Sequence, residues 1–122
     1  MKTLLGIGGS EDSLYALNKA IDRAKTAGDE LTIAIVENPD ASLTEEEIRD
    51  RVAEALDAAA FEADVETLSG HPGSQLIEFA ERGSFDRIAL GGGETSPLGK
   101  VQLGSIAEFV VLNARMTVTL IR

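Results

Sequence analysis

Three runs of largely consecutive apolar residues, Leu4-Leu5-Gly6-Ile7, Leu31-Thr32-Ile33-Ala34-Ile35-Val36 and Ile88-Ala89-Leu90, constrain this chain more than any other feature. A strand with one wet face alternates apolar and polar side chains, so a continuous run reports a strand covered above and below. Helices supply such cover. Apolar residues recur at helical spacing at Leu14, Leu17, Ile21 and Ala24, then at Ile48, Val52, Leu56 and Ala59. The pattern returns at Leu76, Ile77 and Ala80, and at Ile106, Ala107, Val110, Val111 and Ala114. Strand character over residues 2–8, 31–37, 64–68, 87–91 and 117–121 interleaves with these segments. The order is β-α-β-α-β-α-β-α-β, which right-handed crossovers wind into an open sheet, five strands being too few to close a barrel. The expected fold is α/β, a doubly wound, five-stranded, mostly parallel sheet with helices on both faces, Rossmann-like, in one domain over residues 1–122.

The segment ends carry further signals. Thr44 with Glu47, and Ser105 with Glu108, have capping-box spacing at the starts of the second and fourth helices. Ser10 or Asp12 caps the first, and Gly28 and Gly83 stand where helices one and three end. Residues 38–42, Asn-Pro-Asp-Ala-Ser, form a turn-rich connection. Residues 94–103 exceed an ordinary β-α loop and hold Pro97 and Gly99, a length that invites a functional explanation.

Charge narrows the function classes. A net charge of -10 opposes nucleic acid and anionic membranes as partners, because both are held by lysine and arginine. Arginine outnumbers lysine seven to four and aromatics are scarce, as on proteins kept soluble in high salt; an ordinary acidic protein has the same composition. No apolar run approaches the roughly 20 residues that span a bilayer, and the apolar start meets Gly6 before a signal-peptide core forms, so the expected location is the cytoplasm. The absence of cysteine removes thiolate chemistry, and a single histidine, His71, argues against zinc, so no metal ligands are assigned.

Two β-α junctions are glycine-rich, and ligands of open α/β sheets sit at such junctions, beyond the carboxyl ends of the strands. The first, Gly6-Ile7-Gly8-Gly9-Ser10, fails as a dinucleotide fingerprint because Glu11 takes the third glycine position, and a tight capped turn explains it equally. The second runs from Gly91-Gly92-Gly93-Glu94 to Gly104-Ser105. Gly99-Lys100 hints at a P-loop, but Gly93 lies one residue too far upstream and Val101 replaces the serine or threonine that would hold magnesium. Its ends make better sense together: glycines opening a strand end, and Gly104-Ser105 at a helix N-terminus whose amides and dipole favour an anion.

This segment resembles the universal stress protein family, whose nucleotide-binding members carry a glycine, two residues, a second glycine, nine residues, then glycine followed by serine or threonine. Gly91, Glu94 and Gly104-Ser105 reproduce that spacing with glutamate at the second glycine. Gly9-Ser10-Glu11-Asp12-Ser13 resembles the family's start of helix one, Gly70-His71-Pro72 its turn after strand three, and Val118-Thr119-Leu120-Ile121-Arg122 its last strand. The resemblance implies an adenine-nucleotide-binding type of Rossmann-like fold. It places Gly91, Gly104 and Ser105 at phosphates and ribose, and the end of strand two, near Ile35, at adenine; beside it, the backbone amides of Gly92, Gly93 and Ser105 are expected to form an anion nest. Gly8 stands where the family has an aspartate that holds adenine. The implied cofactor is ATP or another adenine nucleotide with magnesium, bound weakly or not at all. The family also pairs its last strand across a two-fold axis, which implies a homodimer burying Val118 and Leu120.

Other candidates have plainer explanations. His71 stands alone before Pro72 with no nucleophile motif beside it, Glu45-Glu46-Glu47 are first-turn acids favoured by the helix dipole, and Leu76, Ile77 and Phe79 read as core. No catalytic residue is assigned. The leading expectation is a dimeric, universal-stress-protein-like regulatory domain with a degenerate nucleotide loop. Its rivals are an ATP-binding member with slow hydrolysis or nucleotidyl transfer, and a ligand-free module for an unidentified protein partner.

Overall fold

In the computed structural model, which describes residues 1–95, 98–99 and 101–122, the three apolar runs lie side by side as the middle of one sheet. They are β1 (Lys2–Ile7), β2 (Glu30–Val36) and β4 (Arg87–Gly91). With β3 (Asp64–Leu68) and β7 (Thr117–Ile121) they form the order β3-β2-β1-β4-β7, every neighbouring pair parallel. The helices are α1 (Glu11–Ala27), α2 (Glu45–Ala59), α3 (Pro72–Arg82) and α4 (Ser105–Asn113).

Each continuous run feeds two cores, because successive side chains point to opposite faces. Leu5, Ile7, Ile33 and Ile35 pack with Leu17 and Ile21 of α1 and Ile48 and Val52 of α2. Their neighbours Leu4, Ala34, Val36, Ile88 and Leu90 pack with Leu76 and Ala80 of α3 and Ala107 and Val110 of α4. Fully burying one such leucine or isoleucine contributes about 1.5–3 kcal/mol, so β1, with Leu4, Leu5 and Ile7 all at 0% exposure, anchors both layers. On the second face two glycines permit close approach. A Cβ at Gly6 would meet Leu76 Cδ1 at 2.8 Å, and one at Gly73 would run into the Phe109 ring, which fastens α4 onto α3.

The helix ends follow local chemistry, with two departures from the sequence signals. Ser10 Oγ accepts from Ser13 N at 3.4 Å, and the Thr44–Glu47 capping box forms in both directions. Gly28 ends α1 at φ 72°, while at the end of α3 Gly83 keeps φ -86° and Ser84 takes the left-handed place at φ 54°. The expected Ser105–Glu108 capping box does not form: α4 starts one residue earlier, Gly104 is the N-cap, and no side chain caps it. Val111, expected in the core, is 43% exposed beside Leu112 at 74%, because α4 covers the outer part of the sheet and, among the described residues, packs chiefly on α3 and β7. Within the long loop β5 (Glu94–Thr95) pairs antiparallel to β6 (Val101–Gln102).

Candidate functional site

From β1 the chain steps outward to β2 and β3, then returns to β4 on the other side of β1 and steps to β7. The carboxyl ends of β1 and β4 therefore flank a switch point, where loops diverge and leave a crevice. A cleft of about 320 Å³ lies there. Its floor is Gly6 and Gly8, one wall is Ser10, Asp12 and Ser13 of the α1 start, and the other is Leu103 to Ala107. Val36, Asn38 and Asp40 close one end, and Leu90, Gly91 and Gly93 the opposite one.

Of the sequence-assigned residues, Gly8, Gly91, Gly93, Gly104 and Ser105 meet in this cleft. Gly92 does not line it, and Ile35 lines an adjoining recess of about 130 Å³ shared with Gly8 and Asn38, whereas Val36 borders both. Lys100 lies outside the described residues, as does the side chain of Glu94.

The glycines are there for different reasons. A Cβ at Gly91 would lie 2.9 Å from the backbone oxygen and Oδ2 of Asp12, so the α1 start requires this glycine. Gly92 is crowded by Arg122, and Gly93 needs its left-handed φ of 78°. Gly8 lies under Asn38, whose Nδ2 would be 3.1 Å from an added Cβ. Gly104 differs: its φ is -66°, any residue adopts it, and a Cβ there would meet nothing within 4 Å among the described residues. Its missing side chain opens the cleft at the uncapped N-terminus of α4. There the amides of Ser105, Ile106 and Ala107 precede the first intrahelical bond, from Glu108 N to Gly104 O at 3.0 Å.

Two of the amides expected to form an anion nest are already engaged. Gly92 N donates to Ile121 O at 2.8 Å, and Gly93 N donates to Asp12 Oδ2 at 3.1 Å. Asp12 was read from sequence only as a possible helix cap; it is the Gly93 acceptor instead. Asn38, read only as a turn residue, donates from Nδ2 to Gly8 O at 3.0 Å, and its Oδ1 accepts from Asp40 N at 3.1 Å. It thus stands over the position where the resembling family has its adenine-holding aspartate. One signal was available for it, since Asn38 is the second residue past the carboxyl end of a central strand. The cleft's described lining carries two carboxylates, Asp12 and Asp40, and no lysine, arginine or histidine.

The other candidates fall elsewhere. His71 caps α3, its Nδ1 accepting from Ser74 N at 3.2 Å, and its ring meets Phe109 edge-on at 4.6 Å. Glu47 completes the α2 cap, and its carboxyl is held below its ordinary pKa by the hydrogen bond from the Thr44 backbone. Among the described residues no group of three or more histidines and acids is placed to hold a metal ion, and no helix is long and apolar enough to cross a membrane.

The model of the universal stress protein family matches residues 1–122. A universal stress protein of Methanocaldococcus jannaschii is 30% identical over 138 residues, covering 99% of this chain and 81% of that protein. Among solved structures, a universal stress protein in complex with cAMP superposes with a TM-score of 0.74 at 24% identity, covering 99% of this chain and 95% of the other. A universal stress protein family protein of Arabidopsis thaliana with AMP bound gives a TM-score of 0.69 at 15% identity, covering 99% and 90%. At these identities the structural likeness shows the fold.

Proposed function

From the premise that this chain belongs to the universal stress protein family, we propose that it is a dimeric regulatory domain whose switch-point cleft takes an adenine nucleotide weakly, without turnover. The observation that carries the reading is Gly104. Neither backbone conformation nor packing calls for a glycine there, and what its bare Cα opens is a path to three helix N-terminal amides inside the cleft. The cAMP and AMP held by the two structural relatives support an adenine nucleotide as the ligand class. Asn38, with one donor and one acceptor position still open on its carboxamide, is suited to a base edge at the Val36 end.

Affinity is held down by charge. A carboxylate about 5 Å from a phosphate opposes it by about 3 kcal/mol per unit charge at an effective dielectric near 20. Asp12 and Asp40 both line the cleft, and Glu94 replaces the family's second loop glycine. Binding rather than chemistry also fits a lining whose described residues include no histidine, lysine or arginine to move a proton or steady a leaving group. Dimerisation is assigned to the β7 edge, where Leu120 is 36% exposed and Val118 half-buried.

Calorimetric titration with magnesium-ATP and mass analysis of ligand released from denatured protein test the reading together. We expect weak or undetectable ATP binding, no retained ATP, and a gain in affinity in Glu94→Gly. Sub-micromolar affinity, no gain in Glu94→Gly, or release of diphosphate during incubation overturns it.

A further inference from the structure

Asp12 is held by two hydrogen bonds. It sits in the first turn of α1, its Oδ1 accepting from Ser10 Oγ at 2.5 Å and its Oδ2 from Gly93 N at 3.1 Å, while Gly91 lies against its backbone. The contact spans 81 residues of sequence and joins the two glycine-rich junctions of the sheet. Gly93 opens the long loop, and it lines the cleft at the end opposite Asn38. A carboxylate accepting from a backbone amide is chemically what a phosphate oxygen would be in the same place.

We propose that Asp12 is an internal anion seated in the phosphate cradle, and that it selects against polyphosphates. It takes the Gly93 amide and leaves its negative charge where β- and γ-phosphates would lie. The ligand class is then adenosine or an adenine nucleotide with a single phosphate, which needs only the α4 amides at Ser105 to Ala107. The inference rests on the reading of this cleft as an adenine-nucleotide site.

Adenosine, AMP and ATP, each with and without magnesium, are titrated calorimetrically into the wild type, Asp12→Asn and Asp12→Ala. Asparagine keeps the shape and an acceptor for Gly93 but loses the charge, and alanine frees the amide as well. Both leave Ser10 to cap α1, and a circular dichroism melt verifies the fold. The expected result is adenosine affinity unchanged within about twofold, AMP little altered, and ATP affinity raised about tenfold in Asp12→Ala with a smaller gain in Asp12→Asn. Adenosine binding with no ATP gain in either variant overturns the role of Asp12 alone. ATP affinity that falls in Asp12→Ala only when magnesium is present also overturns it, making Asp12 a magnesium ligand. Adenosine binding by none of the three proteins overturns the nucleotide reading of the cleft, and Asp12's selectivity falls with it.

Discussion

Gly104 and Gly91 belong to one loop, and the grounds for glycine differ between them. At Gly91 the grounds are internal, since a methyl group would stand 2.9 Å from the Asp12 carbonyl oxygen, an atom that moves only if α1 moves. Gly91→Ala is therefore expected to lower the unfolding free energy by about 1–3 kcal/mol, as overpacking does. At Gly104 a side chain enters open space, so Gly104→Val is expected to cost no more than about 1 kcal/mol, the difference between glycine and valine at an N-cap. It is nevertheless expected to remove the proposed nucleotide binding. Urea denaturation and calorimetry on both variants check the pair; a Gly104→Val protein that binds normally, or that unfolds, contradicts the assignment. Sequence alone pooled these glycines as phosphate contacts. What separates them is the identity of the atoms nearby, and those atoms come from residues far along the chain.

At the scale of elements, the α2 start offers the cleanest local test. Thr44 and Glu47 satisfy each other's backbone amides, and Thr44→Ala is expected to cost about 1 kcal/mol in urea unfolding. The Glu47 carboxyl has a lowered pKa in the fold because its ionised form accepts from the Thr44 amide. Its contribution is thus fully present above its ordinary value of 4.5 and is lost as pH falls through the lowered value. Glu47→Gln should flatten the acid limb of the stability profile below pH 4.5, and an unaltered limb would refute the link. Elements of this kind were legible in advance: the Thr44 box, the Gly28 cap and the strands 64–68, 87–91 and 117–121 fall where spacing put them. The failures have physical causes. Ser105 and Glu108 satisfy the capping-box spacing, yet the helix begins one residue earlier on Gly104, because spacing fixes a pattern and not its first residue. Val111 keeps helical period but has no element against its side, a matter of which strand lies at the edge. β5 and β6 are two residues each, too short to leave any alternation. Asp12 and Asn38 act through contacts 81 and 30 residues away, which no local pattern carries.

For the molecule as a whole, charge dominates. The net charge is -10, and the three ion pairs among the described residues engage only two of the acids, Asp29 twice and Glu45 once. The remaining acids repel one another over a Debye length that shrinks to roughly 3 Å at 1 M salt. Thermal stability is therefore expected to be higher in molar potassium chloride than in dilute buffer, and a melting temperature that stays constant or falls marks the surface as that of an ordinary acidic protein. The open edge of β7 is the place proposed for a second copy, and Leu120→Lys is expected to convert a dimer to a monomer in light scattering at tens of micromolar protein, in high and low salt alike. A wild type already monomeric under those conditions removes that proposal. The hydrogen bond from Gly92 N to Ile121 O gives this edge a wider significance. The strand that would meet a partner on one side holds Gly92 of the glycine loop on the other. If the proposed partner on β7 moves that residue, association and the proposed occupancy of the cleft are linked, each changing the other by the same factor, and the dilution curve of the dimer should shift when ligand is present.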